Sequence, residues 1–79
     1  MRWFFKQTRF QNGIYEYAYS HETKDYDGLI RYDSATKKLE VAKPCLDDFK
    51  SNFAQEWSLM HFHKVINKGF PETLSVITG

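Results

Sequence analysis

The sequence is poor in cysteine, glycine and proline. Its 79 residues include one cysteine, two prolines and four glycines, while 42% of the residues are hydrophobic. A composition with few glycines and prolines and many hydrophobic residues is typical of a folded chain rather than a disordered one. A chain of this length has room for one domain, residues 1–79, with one hydrophobic core.

The single cysteine, Cys45, limits the chemistry that the chain can perform. It excludes a disulfide within the chain and a zinc site built from cysteines, and we therefore expect a reducing, cytoplasmic setting. Cys45 lies just before or inside the first turn of a predicted helix, where the helix dipole can lower the pKa of a thiol. A thiol-based enzyme or redox sensor at Cys45 is thus one alternative, although the sequence places no base beside it.

Long hydrophobic runs and excess charge are also absent from the sequence. No apolar run approaches the roughly 20 residues that cross a membrane, and residues 3–5 are too short an apolar run for a secretory signal. The formal net charge is +1, whereas proteins that bind nucleic acid through its phosphates usually have a basic face and a high pI. We therefore expect a soluble protein without a membrane partner, and a protein partner before a nucleic-acid partner.

No motif for catalysis, for a cofactor or for a metal is found. His61 and His63 lie two residues apart on a predicted helix, so they point to nearly opposite sides and cannot share one ion. Asp25 and Asp27 precede Gly28, but the other ligands of a calcium-binding loop are missing. No glycine-rich phosphate loop or nucleophile motif is present. We predict no catalytic residue, no cofactor and no metal site, and a protein without enzymatic activity.

Turn-forming residues divide the first half of the chain into two predicted hairpins. Asn12-Gly13 is the dipeptide that most readily adopts the two positive φ angles of a type I′ turn. Residues 33–37 are a second run rich in turn formers. The predicted strands are residues 2–10, 14–20, 28–32 and 38–42.

A two-residue turn at positions 12–13 sets the expected register of the first hairpin. It places Arg9 opposite Glu16, two opposite charges that support the pairing, and continues with Gln7 opposite Ala18. Because side chains alternate along a strand, this register predicts one aromatic face, which is either part of the core or a binding surface for a protein or for single-stranded nucleic acid. The aromatic face carries Phe4, Lys6, Phe10, Tyr15, Tyr17 and Tyr19, with Thr8 and His21; the other face carries Trp3, Phe5, Gln7, Arg9, Ile14, Glu16, Ala18 and Ser20.

Residues 46–71 are the only segment long and periodic enough for a substantial helix. We expect the helix to begin within a turn of Asp47 and to end at Gly69, which suits the left-handed position that often follows a helix. Phe70 is then expected to pack back on Val65. A stripe within a sector of roughly 80° is predicted to face the core. This stripe consists of Leu46, Phe49, Phe53, Trp57 and Met60.

A second set of apolar residues lies on another side of the same helix, roughly 160° to 280° from Phe49. Its members are Leu59, Phe62, Val65 and Ile66. Three explanations are open: the helix bends or ends early near Met60, the C-terminal segment folds over this side, or a partner subunit covers it. The third explanation makes these four residues a possible interface.

The order of the predicted elements defines the fold class. Residues 73–78 have the β-branched content of a fifth strand, whereas Pro44 ends the fourth strand because it lacks a backbone donor. The order β-β-β-β-α-β predicts an α+β fold. We expect a mainly antiparallel sheet of four or five strands with one long helix packed on one face.

These features favour a protein that works through contacts with other proteins. The leading interpretation is a non-enzymatic protein-interaction or homodimer-forming module, because the second apolar side of the helix and the two-sided hairpin give more apolar surface than one small domain easily buries. The alternative is a module that binds single-stranded nucleic acid by stacking bases on the tyrosines of the aromatic face. The thiol chemistry at Cys45 is the third and weakest interpretation.

Overall fold

A computed structural model describes residues 1–46, 48 and 52–78, with the backbone alone at positions 52 and 53. Within these residues, five strands and one helix follow one another in the predicted order. They are β1 (Arg2–Gln11), β2 (Ile14–His21), β3 (Gly28–Asp33), β4 (Lys38–Lys43), α1 (Asn52–Asn67) and β5 (Thr73–Ile77).

The strands form one antiparallel sheet in the order β4-β3-β2-β1-β5, and α1 packs on one face of it. The predicted α+β fold class is confirmed, including the return of the chain into the sheet as a fifth strand. Within the described residues, α1 is too short and too polar to cross a membrane.

The turn between β1 and β2 has the predicted conformation. Asn12 and Gly13 have φ values of 54° and 78°, as a type I′ turn requires. Ser34, in the turn that follows β3, donates its backbone N–H to the carbonyl of Gly13 over 2.9 Å and its hydroxyl to the same oxygen over 2.6 Å. These bonds join the two hairpin turns at one end of the sheet.

A β-bulge at Thr8 changes the predicted register of the first hairpin. The pairing agrees with the prediction from the turn as far as Arg9 opposite Glu16, but it then continues with Gln7 opposite Tyr17. The extra residue, Thr8, donates its hydroxyl to the carbonyl of Glu16 over 3.1 Å. A bulge of this kind exchanges the two faces of the strand for every residue beyond it.

The predicted two faces are therefore wrong for the first half of β1. Trp3 and Phe5 lie on the helix side of the sheet, opposite His21 and Tyr19, whereas the prediction had placed them away from the tyrosines. Phe4 and Lys6 lie on the other face instead. The tyrosines of β2 thus share their face with Trp3 and Phe5.

The helix packs on the sheet through the side that was not predicted to face the core. Ser58, His61, Phe62 and Val65 are buried, and these positions fall within a sector of roughly 100°. The ring of Phe62 meets that of Phe5 edge-on at 5.5 Å and that of Tyr17 at 5.2 Å. The buried stripe of α1 therefore contains Phe62 and Val65 of the second apolar set, together with two polar residues.

The stripe that was predicted to face the core is wrong where the structure describes it. Leu46, Trp57 and Met60 are 71%, 40% and 54% exposed. Phe49 and the side chain of Phe53 lie outside the described residues, as do positions 47 and 49–51 of the turn around Asp47 in which the helix was expected to begin. The inversion follows from packing on the sheet, where Phe62 contacts Phe5 and Tyr17 and where Ser58 bonds to Trp3.

The end of α1 has the predicted chemistry. Gly69 has a φ of 79°, and its N–H donates to the carbonyl of Ile66, while the N–H of Phe70 donates to the carbonyl of Val65 over 3.0 Å. This pair of bonds is a Schellman motif. The ring of Phe70 stacks on Tyr15 with centroids 3.8 Å apart, which is a contact that the sequence did not predict.

A row of alternating charges crosses the face of the sheet opposite α1. Arg9, Glu16, Arg31 and Glu40 lie side by side on four neighbouring strands. Glu16 is 3.9 Å from Arg9 and 3.4 Å from Arg31, and Arg31 is 3.5 Å from Glu40. The row is neutral as a whole, so it concentrates no positive charge for a phosphate backbone.

Candidate functional site

The structure separates the six residues that were predicted to form one aromatic binding face. Tyr17 and Tyr19 are fully buried beneath α1. Phe4 and Lys6 lie on the opposite face of the sheet because of the bulge at Thr8. These four residues cannot form an exposed stacking platform with the remaining two, and the predicted face is wrong in this respect.

Phe4 and Lys6 both contact the loop that follows β2. Phe4 is only 7% exposed, and the ammonium group of Lys24 lies 5.6 Å from the centre of its ring. The ammonium group of Lys6 lies 5.9 Å from the centre of the Tyr26 ring. Both contacts are cation–π interactions, and they hold the loop against this face of the sheet.

Phe10 and Tyr15 remain partly exposed, in an aromatic group at the end of the sheet near the Schellman motif. Phe10, which is 54% exposed, stacks on Tyr15 at 4.2 Å, and Tyr15 stacks on Phe70. Phe70 in turn lies 5.6 Å from Tyr32. The group extends the core beyond the end of α1, because Tyr15, Tyr32 and Phe70 all pack against buried residues.

The hydroxyl of Tyr17 joins the sheet to the segment after α1. It donates to the carbonyl of Pro71 over 2.5 Å and lies 3.3 Å from the side-chain oxygen of Gln7. Burial, with a smaller effect from the charge of Tyr15, raises the pKa of Tyr17 to about 12. The side chain therefore serves as a neutral structural group and not as an acid or a base near neutral pH.

A buried polar network joins β1, β2 and α1 around Asp48, which is 1% exposed. One of its carboxylate oxygens accepts a bond from the hydroxyl of Tyr19 over 2.6 Å and from that of Ser58 over 2.7 Å. The hydroxyl of Ser58 accepts from the indole N–H of Trp3 over 3.0 Å. The hydroxyl of Tyr19 accepts from the backbone N–H of Cys45 over 3.1 Å.

This network stabilises the fold and is not arranged for acid–base chemistry. Burial, and next the hydrogen bond to Asp48, raise the pKa of Tyr19 far above its ordinary value, so its hydroxyl stays protonated and keeps donating. Each hydroxyl in the network both donates and accepts, as buried polar groups generally must. The sequence does not reveal this network, because its members are far apart along the chain.

Two histidines enclose the indole ring of Trp3. The ring of His61 stacks on one side with centroids 3.8 Å apart, and that of His21 stacks at 4.4 Å. His61 also donates from Nδ1 to the carbonyl of Trp57, one turn earlier in α1, over 2.7 Å. His61 thus has a packing role, while His63 points to solvent. In the part of the chain that the structure describes, no group of three or more potential ligands could hold a metal ion.

The thiol of Cys45 is buried, with 1% of the residue exposed. It borders a cavity of about 140 Å³ whose ionisable lining residues are His21, Asp25 and Asp27. Reactive cysteines usually lie in partly exposed, electropositive surroundings. Cys45 is buried and two carboxylates line the cavity beside it, so the geometry does not support thiol chemistry at this position.

The predicted interface residues of α1 lie in the core or at its margin. Phe62 and Val65 are fully buried against the sheet, and Leu59 and Ile66 are half-buried and pack on the same core. Of the three explanations that were open for these four residues, cover by a partner subunit is not required, because the sheet buries Phe62 and Val65 while Leu59 and Ile66 pack at the margin of the core.

The exposed apolar side of α1 is formed instead by Trp57 and Met60, which we call the helix surface. The two residues are three positions apart and so lie on one side of the helix. Sequence reasoning did not identify them as surface because the stripe that truly faces the sheet contains two polar residues, Ser58 and His61. That stripe consequently looked less hydrophobic than the stripe containing Trp57 and Met60.

Comparison of the chain with protein-family models, with curated proteins and with solved structures found no match.

Proposed function

We propose that the protein acts by binding another protein through the helix surface. The observation that carries this proposal is the exposure of Trp57 and Met60, at 40% and 54%, on a helix whose opposite side already closes the core with Phe62 and Val65. Tryptophan and methionine are enriched at the centres of protein interfaces, where large apolar side chains fill pockets of the partner.

Hydrogen bonds and ring stacking anchor the part of α1 that carries the helix surface. The carbonyl of Trp57 accepts the bond from His61, and the ring of His61 is stacked on the buried Trp3. One residue further along α1, Ser58 is bonded to both Trp3 and Asp48. These contacts fix the helix backbone that carries Trp57 and Met60, and a surface whose backbone is ordered before binding loses less conformational entropy when the complex forms.

The surroundings of the helix surface describe the partner that would fit. Glu56, His63 and Lys64 are exposed on α1 around the two apolar residues and carry both signs of charge. A partner with an apolar groove, wide enough for an indole ring and bordered by polar groups, would complement this arrangement. Such a helix-in-groove contact is a recurrent mode of protein recognition.

Photo-crosslinking in the cells that produce the protein tests the proposal. A photoreactive phenylalanine analogue in place of Met60 is expected to give protein adducts of defined mass. The same analogue in place of Thr36, an exposed residue of the β3–β4 turn, is the matched control and is expected to give none of these adducts. Trp57→Ser should abolish the adducts formed from position 60.

Two results would contradict the proposal. The first is an identical set of adducts from positions 36 and 60, which would indicate chance collisions. The second is a set of adducts from position 60 that Trp57→Ser leaves unchanged, because the indole would then contribute nothing to binding.

A further inference from the structure

We propose that the outer edge of β5, beside which the described residues place no further strand, is a self-association surface, to which β5 of a second copy of this chain adds as an antiparallel strand. β5 is the outermost strand of the sheet beside β1. An edge strand presents unpaired backbone donors and acceptors that can pair with another chain. This inference concerns a different surface from the helix surface and does not depend on the proposed function.

The hydrogen bonds to β1 show which backbone groups of β5 point outward. The N–H of Gln7 donates to the carbonyl of Glu72 over 2.8 Å, and the N–H of Thr78 donates to the carbonyl of Met1 over 2.8 Å. Backbone groups of successive residues in a strand point to alternate sides. The residues between these two bonds that direct their N–H and C=O groups away from β1 are therefore Thr73, Ser75 and Ile77.

These three residues are self-complementary. A two-fold axis at Ser75 pairs this residue with its own copy and pairs Thr73 with Ile77 of the second chain. Every one of these pairs is a hydrogen-bonded pair, because all three residues direct both backbone groups outward. The contact is closed and symmetric, and it joins the two sheets into one sheet with both helices on the same face.

The charges near β5 permit this pairing. Residues 73–77 contain no charged side chain and no proline, which are two means by which edge strands are protected against association. In the symmetric pair, the nearest like charges on the face of the sheet opposite α1 are Arg2 of one copy and Lys6 of the other. They are separated by three strand spacings, about 14 Å, which exceeds the screening length of about 8 Å at physiological salt.

The opposite edge of the sheet is β4, and it carries charged side chains that protect it against pairing, which β5 lacks. β4 begins at Lys38 and ends at Lys43, so an antiparallel pair of β4 strands in full register would place these two lysines opposite each other. The pairing of β4 with β3 is also irregular near Leu29, and such irregularity is a further obstacle to edge pairing. The second copy is therefore expected at β5 and not at β4.

The contact is small, because it consists mainly of two five-residue strands. It also buries part of the side chain of Ile77, which is 69% exposed in the monomer. Interfaces of this size are weak, so we expect the monomer to dominate at about 10 µM and the dimer to be well populated at about 1 mM.

The inference is tested by measuring the dimer dissociation constant by sedimentation equilibrium across this concentration range, for the wild type and a matched pair of variants. Ser75→Lys places two ammonium groups opposite each other in the dimer, whereas Ala42→Lys adds the same charge to an exposed small residue of β4. We expect Ser75→Lys to raise the dimer dissociation constant at least tenfold and Ala42→Lys to change it by less than about twofold. Equal dimerisation of Ser75→Lys and wild type, or a wild type that stays monomeric at about 1 mM, would overturn the inference.

Amide hydrogen exchange gives a readout that a general effect on folding would not produce. On raising the concentration, exchange should slow at Thr73, Ser75 and Ile77, while Leu74 and Val76, which already bond to β1, should change little. A dimer without this alternation would overturn the inference. So would a dimer that is lost in Trp57→Ser and kept in Ser75→Lys, since self-association would then use the helix surface.

Discussion

Tyr19→Phe tests the buried network around Asp48. The substitution removes one oxygen atom and leaves the ring in place, so it creates almost no cavity. It removes a hydrogen bond of 2.6 Å to a buried carboxylate, an interaction that contributes about 1.5 to 3 kcal/mol. It also leaves the N–H of Cys45, which donates to the same hydroxyl, without its acceptor, at a cost of about 1 to 3 kcal/mol.

The expected loss for Tyr19→Phe is about 3 kcal/mol, because the two effects share one atom and do not add fully. In a chain of this size, that loss lowers Tm by about 12 to 24 °C. Urea denaturation followed by circular dichroism measures the free energy of unfolding, and an unchanged m-value shows that the unfolded state is the same. Tyr32→Phe, at a half-buried tyrosine on the same side of the sheet, is the control and should cost less than about 0.5 kcal/mol.

Ser58→Ala extends the same test. Both hydroxyls donate to one oxygen of Asp48, so the double variant with Tyr19→Phe should deviate from the sum of the single losses by about 0.5 kcal/mol or more. A loss below about 0.5 kcal/mol for Tyr19→Phe, together with additive behaviour of the double variant, would refute the network as a stabilising element.

Three further results are expected. Folding raises the pKa of Tyr17 from 10.0 to about 12, so the contribution of Tyr17 to the free energy of unfolding is complete below pH 10 and declines as the pH rises through about 12. Tyr17 therefore adds up to about 1.4 kcal/mol per pH unit to the decline of the free energy of unfolding in this range, and this decline should be less steep in Tyr17→Phe. Gly28→Ala brings a methyl carbon to 2.4 Å from the ring of Tyr19, and urea denaturation should show a loss of about 1 to 3 kcal/mol. Phe62→Ala should cost about 3 to 5 kcal/mol, whereas Trp57→Ala should cost less than about 1 kcal/mol; the reverse order would contradict the described packing of α1.

Local features of the fold could be read from the sequence because their causes are local. Asn12 and Gly13 adopt positive φ values at little cost, and the turn between β1 and β2 follows from that property alone. Gly69 ends α1 for a similar reason, since it takes the left-handed conformation that the Schellman motif requires. The alternation of turn formers with β-branched and aromatic runs likewise sufficed to predict the five strands and their order relative to the helix.

The faces of β1 could not be read from the sequence because one residue decides them. Thr8 bulges out of the ladder and bonds to the carbonyl of Glu16, and nothing in the sequence distinguishes this threonine from one in a regular strand. The exchange moved Phe5 under the helix and Lys6 to the other face. The predicted binding face was lost with it.

The orientation of α1 depended on contacts between residues distant in sequence. Two stripes of the helix are apolar, and hydrophobicity alone favoured the one with Trp57 and Met60. The sheet selects the other, because Ser58 bonds to the indole of Trp3 and to Asp48, and Phe62 fits between the aromatic rings of β1 and β2. A polar residue within a packing stripe is informative only when its partners are known.

Cysteine labelling tests the orientation of α1, on which the proposed function depends, most directly. In a Cys45→Ala background, single cysteines are placed at Met60 and at Val65, and the reaction of each folded protein with a thiol reagent is followed at neutral pH. We predict that Met60→Cys reacts at nearly the rate of a free thiol and that Val65→Cys reacts at least about 100-fold more slowly, since the buried position reacts only after opening. Equal rates, or faster labelling at position 65, would contradict the account.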